Sequence, residues 1–77
     1  MLSEEETKEF WKMMKRIGRN IRRVRLEKNL TQEEVSEKMG VNLKNYQRLE
    51  YGERPISTRN LFRIARRLEV TMERLVG

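Results

Sequence analysis

Five times in 77 residues, a small hydroxyl or amide residue stands directly ahead of a run of apolar side chains at helical spacing. No strand pattern of useful length appears anywhere in the chain. This rhythm predicts an all-α protein, a compact bundle of four to five helices. Ser3 with Glu6 makes the first capping box, the hydroxyl serving the backbone N–H three residues on while the glutamate reaches back. Glu4, Glu5 and Glu6 fill the positive end of the helix dipole. Behind them Phe10, Met14, Ile17, Ile21 and Val24, spaced four, three, four and three, form one stripe reaching roughly to Glu27 or Lys28. Gly18 falls inside the stripe, so either one long helix or two short ones fits the pattern.

Thr31 with Glu34 repeats the capping box, Val35 and Met39 supply a buried face, and Gly40 is placed to end the second helix in a left-handed conformation. Only Val41 and the cap Asn42 separate it from a third helix with Tyr46 and Leu49 inward and Gly52 at its close. A loop through Glu53, Arg54 and Pro55 leads to a cap at Ser57 or Thr58. The fourth helix shows Leu61, Ile64, Ala65 and Leu68 at core-face spacing. Thr71 starts a last short turn containing Met72, Leu75 and Val76.

A chain of this length is one domain and buries only about 60% of the surface its unfolded form exposes. It holds no cysteine, histidine or aspartate, and none of its 12 glutamates stands in a paired or ligand-like arrangement. The commonest general base and the commonest metal ligand are therefore missing, which argues against an enzyme and implies no catalytic residue, metal or cofactor. The charged fraction is 39%, the net charge +6 and the pI 10.2, a balance that implies an anionic partner. No apolar run reaches the ~18 residues of a membrane span. The first nine residues carry Glu4, Glu5, Glu6 and Glu9 rather than the basic-then-apolar order of a signal peptide. The expectation is a soluble, cytoplasmic protein with no membrane partner.

Two short helices joined by a tight glycine turn are the geometry of a helix-turn-helix, whose second helix projects outward and enters the major groove. From Ile17 to Leu75 the chain resembles the phage repressor/Cro-type helix-turn-helix family, also called the XRE family. Leu30-Thr31-Gln32-Glu33-Glu34-Val35-Ser36-Glu37-Lys38-Met39-Gly40-Val41 is similar to its second helix and turn. Tyr46-Gln47-Arg48-Leu49-Glu50-Tyr51-Gly52 is similar to the end of its third, and Leu61 to Val70 to its fourth. The resemblance implies a lambda repressor-like domain over 17–77, with 1–16 as a helical extension of the first helix.

It also implies roles by position. Gln32, at the start of the second helix, would touch phosphate and brace the recognition helix. Arg25 and Glu50 match a pair that joins the first helix to the third, a structural role rather than a DNA contact. Asn42, Leu43, Lys44, Gln47 and Arg48 occupy the recognition positions. Lysine and arginine suit guanine, and Asn or Gln suits adenine. Leu43 departs from the polar residue frequent at its position; it either meets a thymine methyl or turns inward. Gln47 is equally read as part of a solvated face. Apart from the resemblance, the basic run of the first helix favours association with DNA and places Arg22 or Arg23 to meet phosphate, while Arg54 and Arg59, after the third helix, are placed to reach the backbone or the neighbouring minor groove.

The function implied is a sequence-specific regulator of transcription that binds double-stranded operator DNA as a homodimer. Its dimer surface is expected at the carboxyl end, among Leu68, Val70, Met72, Leu75 and Val76. Gly52-Glu53-Arg54-Pro55-Ile56-Ser57 resembles the restriction–modification controller proteins, with Pro55 where they often have asparagine. Two other readings stand beside this one. The first is an antitoxin-type module with a protein partner at Phe10 and Trp11, a cluster read otherwise as core. The second, a basic amphipathic membrane helix over 12–28, ignores the organised helices that follow.

Overall fold

The capping residues set the boundaries of every helix. The computed structural model describes Met1–Gly77 and contains α1 Glu4–Glu27, α2 Gln32–Met39, α3 Leu43–Glu50, α4 Thr58–Leu68 and α5 Met72–Val76. Ser3, Thr31, Asn42, Ser57 and Thr71 each hold an extended backbone and accept a hydrogen bond from the N–H three residues on. Both capping boxes, Ser3–Glu6 and Thr31–Glu34, are complete. Of the two candidates ahead of α4, Ser57 is the cap.

The carboxyl ends of α1 to α4 share one device. A residue in the left-handed region (Asn29, Gly40, Gly52 or Glu69) turns the chain back. Its N–H and the next one then bond the last carbonyls, as in Gly52 to Leu49 at 3.1 Å and Glu53 to Arg48 at 2.9 Å. Glutamate has no side-chain reason to hold this conformation, so Glu69, with φ 58° and ψ 46°, is mildly strained. Glu69→Gly is expected to raise unfolding stability by about 0.5–1 kcal/mol, the relief of strain exceeding the entropy gained by the unfolded chain. A lower midpoint in urea would contradict this.

Helix α1 runs unbroken through Gly18. At 1.5 Å per residue its 24 residues span about 36 Å, which accounts for the 38 Å long dimension of the molecule. Rather than interrupting the helix, Gly18 lets another one cross it. A β-carbon there would collide with the Glu50 carbonyl and lie 3.0 Å from the Leu49 carbonyl oxygen. Gly52 faces Lys15 in the same way, its added β-carbon falling 2.7 Å from the Lys15 Cα. The carboxyl end of α3 is thus seated directly on the backbone of α1.

Around this spine α3 packs on one side and α5 on another, with α2 bridging α3 and α4. The core contains Met14, Ile17, Ile21 and Val24 of α1 together with Val35, Met39, Tyr46, Leu49, Leu61, Ile64, Ala65, Leu68 and Leu75. Buried Asn20 fastens α5 by donating to the carbonyls of Leu75 at 2.9 Å and Gly77 at 3.1 Å. Leu75 is therefore interior, and Leu68 is buried on the core face of α4 as its spacing predicts, so neither belongs to the apolar carboxyl-terminal surface also expected of them. Val70 and Met72 are half-buried against the core, and only Val76 is exposed. Leu75 and Met72 turn inward because α5 folds back under α1 instead of trailing away from α4.

Phe10 and Trp11 meet edge to face with centroids 5.2 Å apart and pack half-buried on the core. Met14 lies beneath them, its Sδ accepting the Ile56 N–H at 3.4 Å. The amino-terminal part of α1 is thus stacked on the body of the protein, which is how the core reading of this cluster pictured it. No helix is long and apolar enough to cross a membrane.

Candidate nucleic-acid interface

Helix α3 is held by one face and free on the other. Tyr46, Leu49 and Glu50 are buried, whereas Lys44, Asn45 and Arg48 are exposed and Leu43 and Gln47 half-buried. Lys44 and Arg48 lie one helical turn apart, so their side chains share a face. Neither enters the two ion pairs of the protein, Arg25–Glu50 and Arg74–Glu27. Glu50 is the only acidic residue of α3, and Arg25 neutralises it in the interior. The outward face of α3 is consequently positive.

The buried end of α3 is a polar network among three helices. Arg25 of α1 grips Glu50 with two parallel bonds, Nε to Oε2 and Nη2 to Oε1, both 2.9 Å. Its remaining Nη1 donates to the Leu30 carbonyl at 2.8 Å and so also fixes the loop into α2. The Tyr46 hydroxyl, one turn before Glu50, donates to Oε2 at 2.7 Å, and Gln32 Nε2 of α2 donates to Oε1 at 3.1 Å. Four donors saturate the carboxylate. No buried side-chain nitrogen or oxygen in the chain lacks a partner.

Burial alone would push the Glu50 carboxyl up. The hydrogen bonds from Arg25, Tyr46 and Gln32, with the charge of Arg25, outweigh it and hold the group below its ordinary range. Burial, then the hydrogen bond to Glu50 and its negative charge, push the Tyr46 phenol the other way, well above its ordinary range. The network is therefore an ionised glutamate locked to a cation and a neutral phenol, and its effect is to fix α3 against α1 and α2.

Gln32 reaches α3 twice, through Glu50 and by accepting from Gln47 Nε2 at 3.0 Å. Asn42 uses its Oδ1 as the cap of α3, accepting from the Asn45 N–H at 2.9 Å, and its amide nitrogen points away from that bond without a partner in the chain. Leu43 lines a shallow depression with Thr31, Gln32, Glu33 and Gln47, partly inward and partly open. Arg54 is drawn onto α3 by a 2.9 Å bond from its Nη1 to Asn45 Oδ1. Arg22 and Arg59 are exposed on α1 and α4, outside this hydrogen-bonded cluster.

Sequence reasoning passed over three of these residues. Asn45 and the hydroxyl of Tyr46 both act here, and only the i, i+4 spacing of Tyr46 and Glu50 signals the second. Asn20 carries no signal of its role, because its partners are backbone atoms more than 50 positions away.

A family model described as helix-turn-helix matches residues 21–75. One solved structure, the restriction-modification controller protein C.AhdI from Aeromonas hydrophila, matches 80% of this chain and 94% of its own. The TM-score is 0.76 and the sequence identity 26%. No curated protein matches the chain.

Proposed function

Because the chain belongs to the phage repressor/Cro-type helix-turn-helix family, whose members are DNA-binding transcription regulators, we propose that it reads operator DNA by laying α3 in the major groove. The observation that carries this reading is the asymmetry of α3. Its inner face is immobilised by a saturated buried network, while Lys44 and Arg48 stand outward with no partner in the chain. A rigid rod with free donors meets base edges without first ordering itself. Arg54, already tied to Asn45, extends the positive face past the end of α3. Arg22 and Arg59 supply phosphate contacts that position the domain without reading sequence.

One recognition helix covers few base pairs, so the protein acts as a homodimer on a two-fold site with half-sites about one helical turn apart. The surface we assign to the dimer is the α4–α5 end, with Val76 exposed and Val70 and Met72 half-buried. A protein partner docking at Phe10 and Trp11 has less support, because both rings are largely engaged with the core.

Gel shifts on selected and random duplexes over a range of salt test the reading. Lys44→Ala and Arg48→Ala are expected to lose about 1–3 kcal/mol on the selected site and to relax base preference. Arg22→Ala should weaken all duplexes alike and reduce the log–log salt slope by about one. Equal losses on specific and random DNA for the α3 variants would remove α3 from base recognition.

A further inference from the structure

The cations of α1 do not all belong to one surface. Gly18, on which α3 is seated, and Asn20, which fastens α5, mark the two edges of its exposed side. At 3.6 residues per turn these edges lie about 200° apart across that side. Met14, Ile17, Ile21 and Val24 fill the remainder against the core. Between Phe10 and Leu26 the open sector carries Lys12, Lys15, Arg16, Arg19, Arg22 and Arg23, all exposed, and no acid. None of them takes part in an ion pair. Only Arg16 makes a side-chain hydrogen bond, to the Val76 carbonyl at 3.5 Å.

Arg22 and Lys15 lie about 40° and 60° around the helix from Gly18, beside the end of α3. Arg19, Lys12, Arg23 and Arg16 follow at about 100°, 120°, 140° and 160°, toward α5. A duplex held by α3 lies on the Gly18 side of α1, so the first two cations flank it and the other four face away. Those four cover about 17 Å of helix at 1.5 Å per residue. The chemistry of the row selects its occupant. A protein interface has an apolar centre depleted of lysine, whereas the one large apolar side chain exposed in this sector is Leu26, at its carboxyl end. A membrane surface takes up an apolar helix face, and that of α1 is buried in the core. A duplex requires charge alone, with one phosphate per roughly 1.7 Å of its axis and counterions to release.

We infer that Lys12, Arg16, Arg19 and Arg23 form a second, sequence-independent DNA site, through which a domain docked on its operator by α3 holds another segment of duplex. The inference rests on the operator docking of α3 proposed above.

The test begins with operator duplex selected by the full chain from random sequences. It is immobilised, saturated with protein, washed, and offered a short labelled duplex of unrelated sequence over a range of salt. Wild-type protein should capture the second duplex at low ionic strength, with capture falling linearly on a log–log salt plot. Lys12→Gln, Arg16→Gln and Arg19→Gln combined remove three charges at exposed positions where glutamine keeps the helix propensity. Capture should then weaken by about tenfold or more and its salt slope flatten by about 2.7. Operator affinity should stay within about twofold of wild type, because exposed charges away from the contact are screened. Arg16→Lys with Arg19→Lys keeps the charge and should keep capture.

Operator-bound wild type that captures no second duplex overturns the inference. So does a triple variant that captures as well as wild type. A triple variant that loses operator affinity and salt slope in parallel overturns it too, by placing the row on the operator itself. Failure of the α3 reading looks different: wild-type protein would prefer no sequence, and would bind random duplex that the triple variant leaves unbound.

Discussion

Arg25→Met is expected to destabilise the protein by about 3–5 kcal/mol at neutral pH, because it strands a buried carboxylate rather than merely deleting a bond. The Glu50 side chain is wholly inaccessible and that of Arg25 nearly so. In the variant only Tyr46 and Gln32 would remain as donors to Glu50. A domain of this size has a total stability of about 4–12 kcal/mol, so the variant should be marginal. The loss should depend on pH in a defined sense. In the wild type Glu50 titrates below its unfolded value. Its stabilising contribution is therefore present above the ordinary glutamate value of 4.5 and is lost as pH falls through the folded value.

Protonated Glu50 no longer needs Arg25, so the gap between wild type and Arg25→Met should narrow on acidification. Tyr46 governs the opposite end. Its folded pKa is raised, so its contribution is complete below the unfolded value of 10.0 and declines as pH rises past it. Urea unfolding of both proteins across this range checks the prediction. A gap that stays constant with pH would show that something other than the Glu50 charge is responsible.

Gly18→Ala is the second large effect, and its sign is the informative part. Alanine in place of glycine within an exposed helix stabilises by about 1 kcal/mol. Here the new methyl group would meet the Glu50 carbonyl, with the Glu50 carbonyl carbon at 2.9 Å and the Leu49 oxygen at 3.0 Å. These atoms are backbone and cannot rotate aside, so α3 must lift from α1. The expected cost is about 3 kcal/mol, at the upper end for overpacking. The displacement would also pull Glu50 away from Arg25.

Gly40→Ala makes the control. Nothing lies within 4 Å of its added β-carbon, but its φ is +68°, so it should lose only about 1–2 kcal/mol through backbone strain. Thermal melts of the two variants separate the mechanisms. If Gly18→Ala melts at or above the wild-type temperature, the close crossing of α1 and α3 is not what the glycine is for.

Most helix boundaries were legible in advance because the forces that set them are local. Ser3, Thr31, Asn42 and Thr71 cap from their own side chains to N–H groups three residues away, and Gly40 and Gly52 end helices through their own φ freedom. Alternate burial along α1, α3 and α4 follows from the 3.6-residue repeat, which is why Ile17, Ile21, Tyr46, Leu49 and Ile64 are all in the core as expected. The positive, outward set on α3 was legible for the same reason, Lys44 and Arg48 being opposite the apolar positions.

What escaped the linear pattern depends on which elements meet. Gly18 reads as a flaw in a helix until α3 crosses it. Leu75 reads as a surface until α5 folds beneath α1. The cations of α1 read as a single run until α3 and α5 mark the edges of its exposed side. Periodicity and capping are short-range consequences of backbone geometry and can be read along the chain. Close approach, burial of a terminus and the division of a charged face are relations between distant segments, and they come into being only when those segments pack.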